Sequence, residues 1–379
     1  LKHTTMKTGD KIMKKIHRTL SLFTVAAMCA ALLCSCGEMP DGSQTDSSSK
    51  AATTTTADTT ADTTTTGEAS STASATSAPD SSVSDSSSAV TDDTKTNGIT
   101  PAMWKVTSPE GNTMVMLGSF HALKDECYPL PEAVTNAYNN ADILAVECDI
   151  TSTSEDGEYM KNLMKQMLYN DNTKLSQHIS EEAYSALQTY LGYWGMDISA
   201  LEVYRPWAIS STLDTLLIQD ADFDSEKGLD NYLLTTAHAD GKEIYEVESV
   251  DFQMNLLINF SDDIYDLMFR SYEGETKESQ KQALEDLYTA WKSGDIETFL
   301  EEDNEEELAG YTEEDKKIAE DYNNQMLYDR NKNMAKAAED LMSQGKNVFY
   351  VVGAAHYAGE GGIIDLLEKD GYTAERVQY

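Results

Sequence analysis

Four residues of this sequence stand where they could do chemistry together. The apolar run "MVMLGSFH" ends in Gly118-Ser119-Phe120-His121, and "VFYVVGAAH" ends in Gly353-Ala354-Ala355-His356. Between these blocks, "DILAVECD" closes around Glu147 and "KEIYEVES" around Glu248. Two imidazoles with a carboxylate are a common ligand set for a divalent metal that keeps open coordination positions. Such an ion lowers the pKa of bound water to about 7 and polarises a carbonyl. A second carboxylate could then take the proton. Each residue also has a plainer reading: a histidine hydrogen-bonded in its loop, Glu147 capping the following turn, Glu248 paired with a lysine or arginine. The matched Gly-x-x-His spacing favours the chemical reading, because a glycine lets the backbone turn sharply where a side chain would clash.

Elements that could position these residues are legible on either side of them. "AMWKVTSPEGNTMVMLGS" reads as a hairpin of two β-prone runs around Pro109-Glu110-Gly111-Asn112. "LPEAVTNAYNNA" reads as a helix with Pro131 in its first turn. Continuous apolar runs such as Val348–Val352 suit strands covered on both faces. Helical spacing dominates 158–219 and 250–345, Gly228–Ala239 is a further helix closed by Asp240-Gly241, and a last helix at 362–370 precedes a short strand "AERVQ". Strands alternating with helices predict an α/β fold with a mixed, largely parallel sheet and a helical insertion. In such sheets the ligand crevice lies beyond the carboxyl ends of the strands, where His121, Glu147, Glu248 and His356 all fall.

The rest of the chain bounds where that chemistry would take place. Residues 1–12 precede Met13, which opens a better export signal: Lys14, Lys15 and Arg18, then "LSLFTVAAMCAALL", then Leu33-Cys34-Ser35-Cys36. A small residue directly before Cys36 resembles a bacterial lipoprotein signal, so residues 1–36 are expected to be upstream sequence and signal, with Cys36 lipidated. Residues 37–98 are rich in Ser, Thr, Ala and Asp, a composition too polar to offset ordering entropy. They read as a disordered linker with a reach on the order of 45 Å. Residues 99–379 form the folded α/β domain. The expected location is extracytoplasmic, on the cell membrane through the lipid anchor alone. A net charge of −38 excludes a nucleic-acid footprint. Three of the five cysteines lie in the signal, leaving Cys127 and Cys148, whose pairing sequence does not decide. "GEGG" before the last helix lacks the Lys-Ser/Thr of a P-loop. "DADFDSEKGLDN" has Ser225 where a calcium loop needs glycine and Asn231 where it needs glutamate. His-Glu-x-x-His and Gly-x-Ser-x-Gly are both missing.

Taken in order, these blocks resemble the TraB/PrgY/GumN family, whose animal relatives are the Tiki proteins. The likeness runs from about Trp104 to Val377 and includes "LGSFH", "LPEAVTNAYNNADILAVECD", Arg205-Pro206-Trp207, "GLDNYLLTTAHADGKEIYEVESVDFQ", "DRNKNMA" and "VVGAAHYAGEGG". It implies a core similar to the erythromycin-esterase and ChaN group. It also implies a metal-dependent hydrolase acting on peptide or protein substrates, with metal-bound water attacking the scissile carbonyl. The alternative it leaves is a surface protein that sequesters a peptide or a haem-like ligand. Carried over by motif, His121 and His356 become metal ligands and Glu147 a ligand or general base. Glu248 becomes a further acidic site residue and Arg330 an orienting or oxyanion-stabilising group. Asn331 and Tyr357 become substrate-side residues. The metal would be manganese, cobalt, iron or zinc. Ser119, Arg205 and Tyr357 stand where threonine, lysine and leucine are common, and none of these departures removes a proposed ligand.

Overall fold

The computed structural model of the chain describes residues 98–152, 157–300 and 311–379. The expected signal, Cys36 and the linker up to residue 97 lie outside the described residues. Six strands form one sheet: β1 (Met103–Thr107), β2 (Thr113–Ser119), β3 (Ile143–Val146), β4 (Glu243–Glu246), β5 (Val348–Gly353) and β6 (Thr373–Arg376), in the order β4-β3-β5-β2-β1-β6. β4, β3, β5 and β2 run parallel, whereas β1 is antiparallel to both β2 and β6. The fold is therefore α/β with a mixed, largely parallel sheet.

Burial follows position in that order. β5 lies between β3 and β2 and is buried at all six residues, matching its run of β-branched and aromatic side chains. β4 and β6 sit at the two edges and are mostly exposed. The β1–β2 hairpin forms as expected. Its turn is closed by Ser108 N–H donating to the Asn112 carbonyl (2.8 Å), with Gly111 at φ +91°.

Helices fill two long crossovers, one between β3 and β4 and one between β4 and β5. The first contains Glu181–Tyr193, Pro206–Asp220 and Leu229–Asp240. The second contains Val250–Ile258, Asp262–Arg270, Lys277–Ser293 and Asp329–Met342. The expected single insertion is thus two, and they pack on each other: Tyr190 of the first stacks on Tyr272 of the second, centroids 4.2 Å apart. Pro131 sits one residue earlier than expected, as the cap of the helix Glu132–Asn140. Cys127 and Cys148 are both buried free thiols with separate partners, the Tyr288 hydroxyl at 2.9 Å and Gln253 Oε1 at 3.4 Å. Among the described residues, no helix is long and apolar enough to cross a membrane.

Candidate functional site

Parallel register brings the carboxyl ends of β2, β3, β4 and β5 together. Ser119 pairs with Gly353, Val146 with Val351, and Val146 with Glu246. One residue beyond β3 comes Glu147, and its carbonyl accepts from Glu248 N–H at 2.7 Å. Gly353 marks the meeting point. A Cβ built on it would lie 3.1 Å from Glu147 Oε1, 3.4 Å from His121 Nε2 and 3.6 Å from His356 Cδ2. Glycine there keeps open the space between the two imidazoles and the carboxylate. Ser119, beside Gly353 in register, carries a buried hydroxyl with no hydrogen-bond partner among the described residues.

His121 is set by packing on both sides of it. Phe120 lies in an aromatic cluster with Phe223, Tyr288 and Trp291, and Trp291 Nε1 donates to the Gly118 carbonyl at 2.9 Å. Gly228 approaches the His121 carbonyl so closely that a Cβ would lie 2.1 Å from its oxygen. Leu229 N–H then donates to the Phe120 carbonyl at 3.0 Å. That junction starts the helix Leu229–Asp240 with Asp230 facing His121, Oδ2 to Nδ1 2.8 Å. Burial pushes the His121 pKa down, but the charge and hydrogen bond of Asp230 outweigh it and raise the value to about 9. An ion bound at Nε2 would take the place of the proton there.

His356 has a different setting. It is 2 % exposed, and its Nδ1 lies 2.6 Å from Asn331 Oδ1. Burial and the nearby Arg330 charge push its pKa down to about 3, so the ring is neutral. His356 Nε2 lies 3.7 Å from Glu147 Oε1.

Charge at the site is held by Arg330, on the first turn of the helix Asp329–Met342 and 2 % exposed. A π-helical turn, Asn324–Tyr328, precedes that helix, a common device at functional positions. Arg330 Nη2 donates to Glu147 Oε2 (2.7 Å) and Glu248 Oε2 (2.8 Å), Nε to Glu248 Oε1 (2.9 Å), and Nη1 to the Met326 carbonyl (3.0 Å). Gln253 Nε2 bridges the same two carboxylates at 2.9 and 2.8 Å. Glu147 Oε1 also accepts from Gly353 N–H at 2.7 Å. Burial opposes ionisation of Glu147, but Arg330, the charged His121 and the Gly353 bond hold its pKa well below the usual carboxylate range.

Of the residues expected from sequence, His121, Glu147, Glu248, His356 and Arg330 come together. Arg330 is committed to the two glutamates, so its place is that of a charge clamp rather than a free oxyanion donor. Asn331 sits behind His356 with both ends of its amide taken up inside the protein, not on a substrate-facing surface. Tyr357, expected in the substrate crevice, is buried. Its ring stacks on Trp104 at 5.0 Å, both rings line a cleft of about 350 Å³ with Arg376 and Ile364, and its hydroxyl donates to the Tyr350 carbonyl. Asp230 was missed because nothing in "GLDN" distinguishes it from an ordinary first-turn acid. Gln253 was visible only as a family match, within the helix Val250–Ile258 that Ser249 caps.

The donor set suits a divalent transition metal. Two imidazoles have their Nδ1 atoms engaged by protein oxygens, the usual means of orienting a ligating histidine, and Glu147 Oε1 lies 3.7 Å from His356 Nε2. As the side chains stand, no three His, Cys, Asp or Glu residues among the described residues are close enough to hold an ion. Glu147 Oε2 is taken up by Arg330 and Gln253, and Oε1 by Gly353 N–H.

Fold and site together define an α/β protein with a His/carboxylate cluster at the ends of its parallel strands. The chain belongs to the TraB/PrgY/gumN family, whose profile matches residues 102–376. It is 26 % identical over 157 residues to the uncharacterized protein YbaP of Escherichia coli, a match covering 41 % of this chain and 56 % of YbaP. It is 24 % identical over 293 residues to a metalloprotease TIKI homolog of Nematostella vectensis, covering 66 % and 61 % of the two chains. The metalloprotease TIKI1 of Xenopus tropicalis is 26 % identical over 161 residues, 38 % of this chain and 32 % of that protein. The chain therefore spans less than two thirds of the length of each of these relatives. No solved structure matches it.

Proposed function

We propose that this protein is a metal-dependent hydrolase of peptides, held outside the cytoplasm by a lipid on Cys36. The observation that carries the reading is the convergence of His121 Nε2, Glu147 Oε1 and the His356 ring around the point where a Cβ on Gly353 would stand. The metalloprotease names of the TIKI relatives support it. His121, His356 and Glu147 would hold the ion, manganese, cobalt, iron or zinc. When bound, such an ion supplies an acidified water and polarises a carbonyl. The chain's own residues would do the rest. Asp230 and Asn331 orient the two imidazoles. Arg330 offsets one of the two buried carboxylate charges, leaving the Glu147–Glu248 pair with a net charge near −1. With Glu147 offered to the ion, Glu248 would be the carboxylate that takes up a proton. Its Oε1 has Arg330 Nε as its partner (2.9 Å).

Arg330's full engagement supports a second reading, a protein that binds a peptide or haem-like ligand without cleaving it. Incubating the full chain with a mixture of unstructured peptides, with and without chelator, separates the two. New termini by mass spectrometry that vanish with chelator support the hydrolase. Retention of peptide without cleavage, unchanged by chelator, supports the binder.

A further inference from the structure

The glycine-rich turn Gly359–Gly362 resembles an anion-binding loop in sequence, but in the structure it is wired to His356. Gly361 N–H donates to Asp365 Oδ2 at 2.7 Å, and Lys369 Nζ holds the same carboxylate oxygen at 2.8 Å. The Gly361 carbonyl accepts from Asn331 Nδ2 at 2.9 Å. Asn331 Oδ1 in turn lies 2.6 Å from His356 Nδ1. Gly361 has φ +78°, and a Cβ on it would meet the Tyr328 ring at 3.0 Å, so only glycine brings the carbonyl to this place without strain.

Donor and acceptor chemistry makes this chain of bonds directional. A carbonyl oxygen only accepts, so the Asn331 amide stands one way round, nitrogen to Gly361 and oxygen to His356. The amide oxygen likewise only accepts, so the proton lies on His356 Nδ1. A neutral imidazole has one ring proton, which leaves the lone pair on Nε2, the nitrogen nearer Glu147 Oε1.

We propose that Asp365, Gly361 and Asn331 form a positioning relay that holds His356 in the tautomer whose Nε2 can donate to a divalent cation. The cation's role rests on the metal-site reading above, whereas the relay itself can be tested without it. Nitrogen-15 imidazole NMR on the full chain labelled at its six histidines reads the tautomer directly. The expected wild-type signal for His356 is a protonated Nδ1 and a lone-pair Nε2. Asn331→Leu should give mixed tautomers, Asn331→Asp, whose carboxylate cannot donate to the Gly361 carbonyl and favours a charged ring, should place protons on both ring nitrogens, and Asp365→Ala, away from the cluster, should loosen it partially. Titration with cobalt(II) alone, followed by visible absorption, should weaken about 10–100-fold in Asn331→Leu and less in Asp365→Ala. A proton on Nε2 in the wild type, or an unchanged His356 signal in both Asn331→Leu and Asp365→Ala, would overturn the relay. The expected tautomer shifts in a chain that takes up no cobalt would support the relay and sink the metal-site reading.

Discussion

His121 and His356 follow neighbouring parallel strands behind the same Gly-x-x-His spacing, yet the protein surrounds them in opposite ways. His121 is partly exposed and leans on a carboxylate, Asp230, from the helix of the first crossover. His356 is buried and leans on an amide, Asn331, from the last helix of the second. One setting stabilises the charged ring and the other the neutral ring. A shared motif therefore fixes where an imidazole sits, while its electronic character comes from whichever helix packs behind it. Between them Glu147 serves both, and Arg330 is the only described cation that touches it.

The largest effect is expected where the two halves join. Arg330→Leu leaves Glu147 and Glu248 buried without their counter-charge and should cost about 3–5 kcal/mol in urea unfolding. A loss under about 1 kcal/mol would mean the carboxylates are not held as a pair. Next, His356→Ala should cost about 1–3 kcal/mol, since it strands the buried Asn331 oxygen, with little change between about pH 6 and 9. The cost of His121→Ala should be largest below roughly pH 6.5 and shrink as pH rises toward about 9, where the ring paired with Asp230 loses its proton. Costs with the same pH dependence would erase the contrast between the two sites. Gly353→Ala tests their shared centre. The added methyl enters the space between both rings and Glu147, so turnover should fall roughly tenfold or more while the melting temperature moves only slightly. Wild-type turnover would show that this space is not used.

The smallest effect comes from a control pair away from the cluster. Burial opposes ionisation of Asp315, but hydrogen bonds from Arg270 and Thr312 outweigh it and hold its pKa below the ordinary value. Its contribution to stability is thus present above the unfolded carboxylate value, roughly pH 4, and is lost as pH falls through the folded value. Arg270→Gln should reduce stability at pH 6 and flatten its decline on the acid side in thermal melts. An acid limb as steep as wild type would remove this pair from the account.

Much of the site was legible because backbone geometry wrote it into the sequence. Apolar runs ending in Gly-x-x-His, or in a single glutamate, are unusual enough to mark strand ends, and parallel register then places those ends side by side. The hairpin turn at Gly111 and the helix stop at Gly241 were legible for the same reason, as both need positive φ. What could not be read was long-range pairing. Asp230 meets His121 across 109 positions of sequence and Gln253 meets Glu147 across 106, and neither residue type is rare in a first helical turn. The stacking of Tyr357 on Trp104 is likewise a long-range pairing that spacing does not reveal.

The central claim is that His121 and His356, with Glu147, hold one divalent metal at the strand ends. Elemental analysis of the purified full chain, after reconstitution with manganese, cobalt, iron or zinc, tests it most directly against the double variant His121→Ala/His356→Ala. The account predicts about one ion per wild-type chain and none in the variant. Equal metal content in both proteins, or none in the wild type under any of the four metals, would contradict it.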